Sequence, residues 1–536
     1  MRSIYVNQAG FRPGDDKRAV LNFPADGFNV VNEKGETVLE GMVSHFGLDD
    51  ISGEDTYVAD LSPLKAGGSY RVVADGVRSA SFTVSDNVYE ELMKDVCKCF
   101  YYLRCGDALT REYALDYYHK ACHMDKATVY GEDTKVDVSG GWHDAGDYGR
   151  YSTAGAVALA HLLYGVRFFK GLKEVTFDIP PVKCEGGNLP DILAESKVEL
   201  DFLLKMQRDD GSVWHKVTTF NHASFVMPED DKDELFLFPV SSMATADIAA
   251  VFALAYTVYK DYDRAYADNL LKAAGRSYEW LIKNQEPVFF KNAEGSNTGE
   301  YGEDEDISNR FWAAASMYEA TGDRKYYEDV LRYGEMLKQE VKYPVFTFLG
   351  WGYVAGLGSL SVMLKDDKDD FNKYIKECFL KEADRLIHVA GTNGFNLCMR
   401  ADDFIWGSNM ELLKYLMVLT VADRLGGDKN YRPFITSGLD YLLGCNSMDT
   451  SYVTGHGEKA YRNPHLRPTV ADDIDDPWPG LVSGGPNRGL HDEVAAKLPH
   501  DLPPMKCYMD NHECYSLNEI TIYWNSPLVF VLSGTM

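Results

Sequence analysis

Asp144 and Asp147 lie three residues apart in GGWHDAGDYGRY, residues 140 to 151. Two carboxylates this close stay ionised together only where hydrogen bonds or solvent support them. Such a pair can hold a water and take its proton, the work of a general base. The same spacing also suits an acidic helix N-terminus, where Asp offsets the dipole. A second constellation is SYVTGHGEKAYRNPHLRP, residues 451 to 468, in which His465 and Arg467 flank a leucine. Alternate residues of an extended segment point the same way, so both side chains could donate to one hydroxylated ligand. Tying down neighbouring carbonyls is the plainer use of the same two residues. A third is YMDNHECYSLNEITIYWNSPLVF, residues 508 to 530, where Asp510 and Glu519 bracket an aromatic-rich run. A Glu at the mouth of an apolar helix has its pKa raised by desolvation, which suits a general acid, whereas a helix cap is the structural alternative. Cys105, Cys122, His123 and His143 make a fourth group. Two thiolates and two imidazoles are a tetrahedral zinc set, although the spacing is not that of a zinc finger and buried core Cys is the alternative.

The elements that must position these residues fall into two classes. Roughly the first 87 residues read as short β-strands (SIYVNQAG, RAVLNF, FNVVN, TYVADL, SYRVVAD, SASFTVS) punctuated by Gly, Pro, Asp and Asn, which predicts a small β-sandwich with immunoglobulin-like shape. From about Asp86 the period changes from 2 to 3.6. About twelve amphipathic runs follow, beginning near Val88, Arg150, Leu189, Ser242, Asp263, Ile307, Lys325, Gly350, Asp369, Trp406, Tyr431 and Cys514. Antiparallel pairs of that number close into an (α/α)6 barrel. The expected domains are therefore a sandwich over 1–87 and a helical domain over 88–536. The stretch from Asn446 to Asn511 breaks the helical rhythm and is rich in Gly, Pro, His, Asp and Arg. A loop that long inside a compact domain carries function or is disordered, and its Trp, His and Arg favour function.

Composition narrows the function classes. The chain has 536 residues, 45% apolar and 25% charged, the balance of a folded multidomain protein. Asp and Glu number 82 against 54 Lys and Arg, a net charge of −28. A field of that sign repels phosphate backbones and anionic lipid, which argues against nucleic-acid and membrane partners. No apolar run reaches the roughly 20 residues of a membrane span. The start, MRSIYVNQAG, lacks the apolar core of a signal peptide, so the expectation is a cytoplasmic protein unless a leader has been removed. Ten Cys are too sparse for a disulfide scaffold and read as reduced or metal-bound thiols.

Taken in order, the three constellations resemble the signatures of glycoside hydrolase family 9, once called cellulase family E. GGWHDAGDYGRY is similar to its DAGD motif, SYVTGHGEKAYRNPHLRP to its His signature, and YMDNHECYSLNEITIYWNS to its Asp/Glu signature. IYVNQAGFRPGDDKRAV resembles the immunoglobulin-like module that precedes one branch of the family. The resemblance implies that Asp147 is the general base and Asp144 helps hold the water. It implies that Glu519 is the general acid, that His465 and Arg467 bind sugar hydroxyls, and that Asp510 supports the constellation. It further implies a structural zinc on Cys105, Cys122, His123 and His143, bracing the loop of the two Asp. Family members also bind calcium near an Asp-Glu pair before a Trp. In GEDEDISNRFWAAA that pair is replaced by Ser308 and Asn309, leaving Glu303, Asp304 and Asp306 as oxygen donors or as a plain acidic loop.

The expectation is an inverting glycoside hydrolase that cleaves β-1,4-glucosidic bonds of cellulose-type glucans or cello-oligosaccharides in the manner of an endoglucanase. Trp524, Trp478 and Tyr301 are candidate stacking platforms or core rings. An exo-acting β-glucosidase or β-glucosaminidase shares the motifs. A non-catalytic carbohydrate-binding protein and a polysaccharide lyase are the rivals from other classes. Inversion requires about 6.5–9.5 Å between the two carboxyl groups, against about 5–5.5 Å for retention.

Overall fold

The computed structural model describes residues 1–339, 344–426 and 429–536. They form two compact units: one of residues 1–96, 381–465 and 473–520, the other of residues 97–380, 466–472 and 521–536.

In the first unit, nine strands fill the N-terminal part: β1 Ile4–Tyr5, β2 Gly10–Phe11, β3 Arg18–Leu21, β4 Gly27–Asn32, β5 Thr37–Asp49, β6 Glu54–Asp60, β7 Gly68–Ala74, β8 Val77–Arg78 and β9 Phe82–Val84. Their order is β1-β3-β6-β5-β4-β7-β9-β2, with β8 on β7. The 13-residue β5 is absent from the sequence expectation, and it makes the sandwich. Its first half pairs with β4 (Gly27 opposite Met42) and its second half pairs with β6 (Val43 opposite Ala59). One strand thus passes from one layer to the other, as strands do at sandwich corners. Leu39 and Val43 on it pack against the core, but Val38, Met42, Phe46 and Leu48 are exposed, so apolar and polar residue types do not alternate along it in the sequence. Ile4, Phe11, Leu21, Val30, Val72 and Phe82 are among the side chains buried between the layers. The strands are tied to later segments of the same unit. Asn7 Nδ2 donates to Asp440 Oδ1 at 2.8 Å, Gln8 N to the Leu443 carbonyl at 2.8 Å, and Gly394 N to Asp49 Oδ2 at 2.8 Å.

Among the described residues there are twelve helices of eleven residues or more; eleven begin within about five residues of the expected positions, and the last begins at Ile522 rather than near Cys514, where only the one-turn helix Tyr515–Asn518 forms. They alternate in character along the chain. Ser152–Phe168, Ser242–Tyr259, Ile307–Thr321, Ala355–Lys365, Ser408–Leu425 and Ile522–Thr535 are buried almost all round. The helices before each of them, such as Arg264–Lys283 and Arg324–Leu337, bury one stripe. That alternation is the one an inner and an outer ring of six would need. Asp323 caps Arg324–Leu337 as its sequence suggests, its side chain accepting from Lys325 N. Ser242–Tyr259 has mean hydropathy 1.3 over 18 residues, the composition of a membrane span, but it is 94% buried inside the protein and serves the core. Within the second unit it packs on Ser152–Phe168, Arg264–Lys283 and Ile307–Thr321, and Ser152–Phe168 packs on Ile522–Thr535. No disulfide forms among the ten cysteines, all of which are described residues.

Candidate active site

The loop that carries the two aspartates belongs to the second unit and is held from several sides. Cys105 N donates to the Gly141 carbonyl and His143 N to the Leu103 carbonyl, both at 2.7 Å. Trp142 gives its backbone N–H to Glu199 at 2.7 Å and its indole N–H to Glu195 at 2.9 Å. Buried Arg150 donates to the Val138 and Gly140 carbonyls. Gly141 has φ +81°, and a Cβ there would fall 2.6 Å from the Phe202 ring and 2.8 Å from Glu199, so only glycine makes this turn. The loop then closes on itself through Asp144 N and the Gly149 carbonyl at 3.0 Å, with Ile522 N on the Asp144 carbonyl at 2.8 Å. Neither aspartate is in the first turn of a helix, since the next one starts at Ser152.

Both carboxylates are buried, Asp144 at 1% and Asp147 at 5% exposure. Asp147 Oδ2 accepts from Gly149 N at 3.1 Å and from the Tyr151 hydroxyl at 3.2 Å, and the His222 Nδ1 lies 3.4 Å away. Burial pushes the Asp147 carboxyl up, but the hydrogen bond and charge of His222, with Arg467 and Gly149, outweigh it, and the net displacement is well below the ordinary carboxylate range. Asp144 Oδ2 accepts from the Tyr301 hydroxyl. Tyr301 sits in left-handed backbone at φ +48°, an uncommon setting for a tyrosine, and its ring packs on Tyr151 and Trp351. The neighbouring loop is pinned from the strand Lys216–Thr218 and the residue before it. Lys216 Nζ donates to the Thr298 hydroxyl at 3.0 Å and the Gly299 carbonyl at 2.6 Å, and His215 Nε2 meets the Glu300 carbonyl at 3.0 Å. His222 was not legible as a site residue, because it is a single side chain far along the chain from the aspartates with no motif around it; Tyr301, expected as a stacking platform or a core ring, instead donates a hydrogen bond from its hydroxyl to Asp144.

Arg467 is also in the second unit. It gives its Nε–H to the Ala223 carbonyl at 2.7 Å and another N–H to the Gly146 carbonyl, so it braces the loops of His222 and Asp147. Trp524, expected as a stacking platform, is 6% exposed within Ile522–Thr535 and contributes its ring to packing on Tyr523.

In the first unit, His465 pairs with Glu519 as a parallel bridge, with His465 N on the Asn518 carbonyl and Gly484 N on the Glu519 carbonyl, both at 2.9 Å. Glu519 follows the one-turn helix Tyr515–Asn518 and has extended backbone (φ −61°, ψ 150°). Thr521, not Glu519, caps the next helix by accepting from Trp524 N. The His465 Nδ1 meets the His512 carbonyl at 2.6 Å, and a carbonyl only accepts, so Nδ1 carries the proton. Asp510 is exposed and accepts from the backbone N–H groups of Arg462 and Asn463, both at 2.9 Å, which holds the segment leading to His465. Trp406 (41% exposed) and Tyr515 (38% exposed) stand 5.4 Å apart, with Tyr515 5.8 Å from His465. These exposed rings are better placed to stack on a sugar than the buried Trp478 or Trp524.

The metal-ligand expectation maps onto one cluster in the second unit. The ligand atoms of Cys105, Cys122, His123 and His143 all lie within 4.8 Å of one another. Burial resists ionisation of Cys105, yet the hydrogen bond from Cys122 and the charges of Arg150 and His143 draw its thiol down. Of the acidic loop residues, Asp304 is exposed, and Asp306 is paired with Arg310 at 2.9 Å. Glu303, by contrast, is buried with both oxygens unpartnered, as is Oδ2 of buried Asp247, whose Oδ1 accepts from Asn309 at 3.0 Å.

The family model for glycosyl hydrolase family 9 matches residues 89–532, and that for the cellulase N-terminal ig-like domain matches residues 1–79. The chain is 63% identical to a cellodextrinase of Butyrivibrio fibrisolvens over the full length of both. It is 34% identical to endoglucanase D of Acetivibrio thermocellus, covering 99% of this chain and 83% of the relative. Among solved structures, AaCel9A in complex with cellobiose-like isofagomine superposes with TM-score 0.92 at 35% identity over 99% of both chains. The fold class is an immunoglobulin-like β-sandwich followed by an (α/α)6 barrel, and the protein is a glycoside hydrolase. The chain belongs to glycosyl hydrolase family 9.

Proposed function

We propose that this enzyme hydrolyses β-1,4-glucosidic bonds of cello-oligosaccharides and cellulose-type glucans with inversion at the anomeric carbon. The observation that carries the reading is the state of Asp147: a buried carboxylate held ionised by His222, Tyr151 and Gly149, three residues from a second buried carboxylate gripped by Tyr301. In this reading Asp147 and Asp144 hold a water. That water attacks the anomeric carbon from the face opposite the leaving oxygen as Asp147 takes its proton. Glu519 gives a proton to the glycosidic oxygen, so the bond to the leaving sugar breaks without an alkoxide. His465 binds a sugar hydroxyl next to Glu519, Trp406 and Tyr515 offer stacking faces, and Arg467 and Asp510 act by holding loops. The whole-length likeness to a cellodextrinase favours short soluble substrates over crystalline cellulose. Product analysis on cellohexaose, barley β-glucan and chito-oligosaccharides tests this: cellobiose and glucose from cellohexaose support it, and turnover confined to chito-oligosaccharides would replace it with the glucosaminidase reading.

Zinc is the metal that Cys105, Cys122, His123 and His143 suit: two thiols, two imidazoles, and a buried His123 Nδ1 without a hydrogen-bond partner. Bound there, it supplies structure rather than a Lewis acid, because four protein ligands close its coordination. Calcium is best supported at Glu303 and Asp247, where burial pushes two carboxyls well above their ordinary values and three oxygens lack a partner. A rise in melting temperature when calcium is returned to chelator-treated protein, lost in Glu303→Gln, tests that assignment.

A further inference from the structure

We propose that Asp231 is the carboxylate that fixes His123 as a metal ligand, and that through it the metal site holds a second loop of the active site. The inference rests on the zinc reading above. The His123 Nε2 lies 3.2 Å from Asp231 Oδ2, and the two side chains are 2% and 4% exposed. A carboxylate only accepts, so Nε2 carries the proton and Nδ1 is the nitrogen with a lone pair to give. Nδ1 is the atom that is buried without a hydrogen-bond partner. The imidazole is thus turned with its basic nitrogen away from the carboxylate, the orientation that carboxylate–histidine–metal triads require.

Asp231 is itself oriented, since its Oδ1 accepts from Asp233 N at 3.2 Å. His123 occupies left-handed backbone at φ +48°, an uncommon setting for a residue with a side chain that the surrounding contacts must maintain. Lys120 N donates to Glu229 at 3.3 Å and so joins the same two segments, while the Tyr148 hydroxyl ties the aspartate loop to the Val226 carbonyl at 2.5 Å. Tyr148 packs on both metal-site imidazoles, 5.2 Å from His123 and 4.8 Å from His143. The segment from His222 to Asp233 carries the imidazole that faces Asp147. The metal would therefore brace the aspartate loop through His143, next to Asp144, and the His222 segment through His123 and Asp231. Asp231 is a positioning residue and does not meet the sugar.

The test compares the native protein with Asp231→Ala and Asp231→Asn. Zinc content is measured after purification without chelator, and affinity by competition with a chromophoric chelator. The parent should hold about one zinc per chain. Asp231→Ala should bind it about 10–100-fold more weakly, the usual effect of removing an outer carboxylate. Asp231→Asn keeps an acceptor for the Nε2 proton but loses the charge, and should fall between them. Cobalt substitution should keep the thiolate-to-metal absorption bands in both variants, since all four ligands remain. Melting temperatures of the metal-free proteins should agree, with the difference appearing only when zinc is bound. A parent without zinc overturns the zinc reading and this inference with it. A zinc-containing parent whose Asp231→Ala variant binds equally tightly overturns the inference alone, as does an equal loss of stability in the metal-free protein. If Asp231→Ala does not fold, unchanged affinity in Asp231→Asn overturns it in the same way.

Discussion

Replacing His222 with Ala should move the acid limb of the kcat/KM profile to higher pH. Asp147 serves as base only when ionised, and the acid limb records the pH at which it takes up a proton. The His222 imidazole lies 3.4 Å from Asp147 Oδ2, with side chains 37% and 7% exposed. At that distance the Coulomb energy is about 1.2 kcal/mol in a water-like dielectric and about 5 kcal/mol at an effective value near 20. Exposure of His222 places the pair toward the screened end, so we expect a shift of about one to two pH units, at about 1.4 kcal/mol per unit. The direction follows from the sign of the perturbation. The hydrogen bond and charge of His222 favour the ionised carboxylate, so its removal lets Asp147 protonate earlier as pH falls. Stability should follow the same course. A carboxylate depressed in the folded state adds stability above its unfolded value and loses it as pH falls through the folded one, so the variant should be less resistant to acid. His222→Gln, which keeps a donor without charge, should shift the limb by less. The assay is initial-rate hydrolysis of cellotetraose from pH 3 to 9. An acid limb that stays in place or moves to lower pH in His222→Ala would show that His222 does not hold Asp147 ionised.

Three further outcomes are expected. Glu519→Gln should lower turnover of cello-oligosaccharides by about 10²–10⁴-fold, with part of the rate recovered on aryl glycosides whose leaving group needs no proton; near-normal turnover would remove Glu519 from the role. Proton NMR of early products should show the α-anomer emerging from a β-linked substrate, and a β-anomer appearing first would replace inversion with retention and Asp147 as base with Asp147 as nucleophile. Burial raises the Asp440 carboxyl to about 8, and its Oδ2 has no partner beside the Asn7 bond on Oδ1. The folded state therefore holds it neutral while the unfolded chain ionises it, so stability falls as pH rises between about 4 and 8, by up to about 1.4 kcal/mol per unit. Asp440→Asn should melt close to the parent at pH 4 and above it at pH 8; a difference of the same size at both would refute the assignment.

What could be read from the chain was whatever local physics writes into it. Helix starts such as Ser242 and Ile307, and the cap at Asp323, follow from a 3.6-residue period and short-range hydrogen bonds, so they fell within a few residues of their expected places. The DAGD loop and the cluster of two thiols and two imidazoles were legible because their chemistry is uncommon enough to be noticed as residue types. Strand β5 was not, because its exposed faces carry no alternating pattern, and it was β5 that joined the two layers of the sandwich. Nor did the sequence show that residues 381–465 and 473–520 would cluster with the N-terminal strands, since bonds such as Asn7 to Asp440 span hundreds of residues. Tertiary structure decided the states of the groups that matter. It surrounded Asp147 with His222, Tyr151 and Gly149 and set Tyr301 on Asp144. It also turned Arg467 toward carbonyls and buried the ring of Trp524. A residue type specifies which proton or electron pair is available. Whether it is charged, exposed or already spent depends on the dielectric and the partners around it, and here those come from segments far away in the chain.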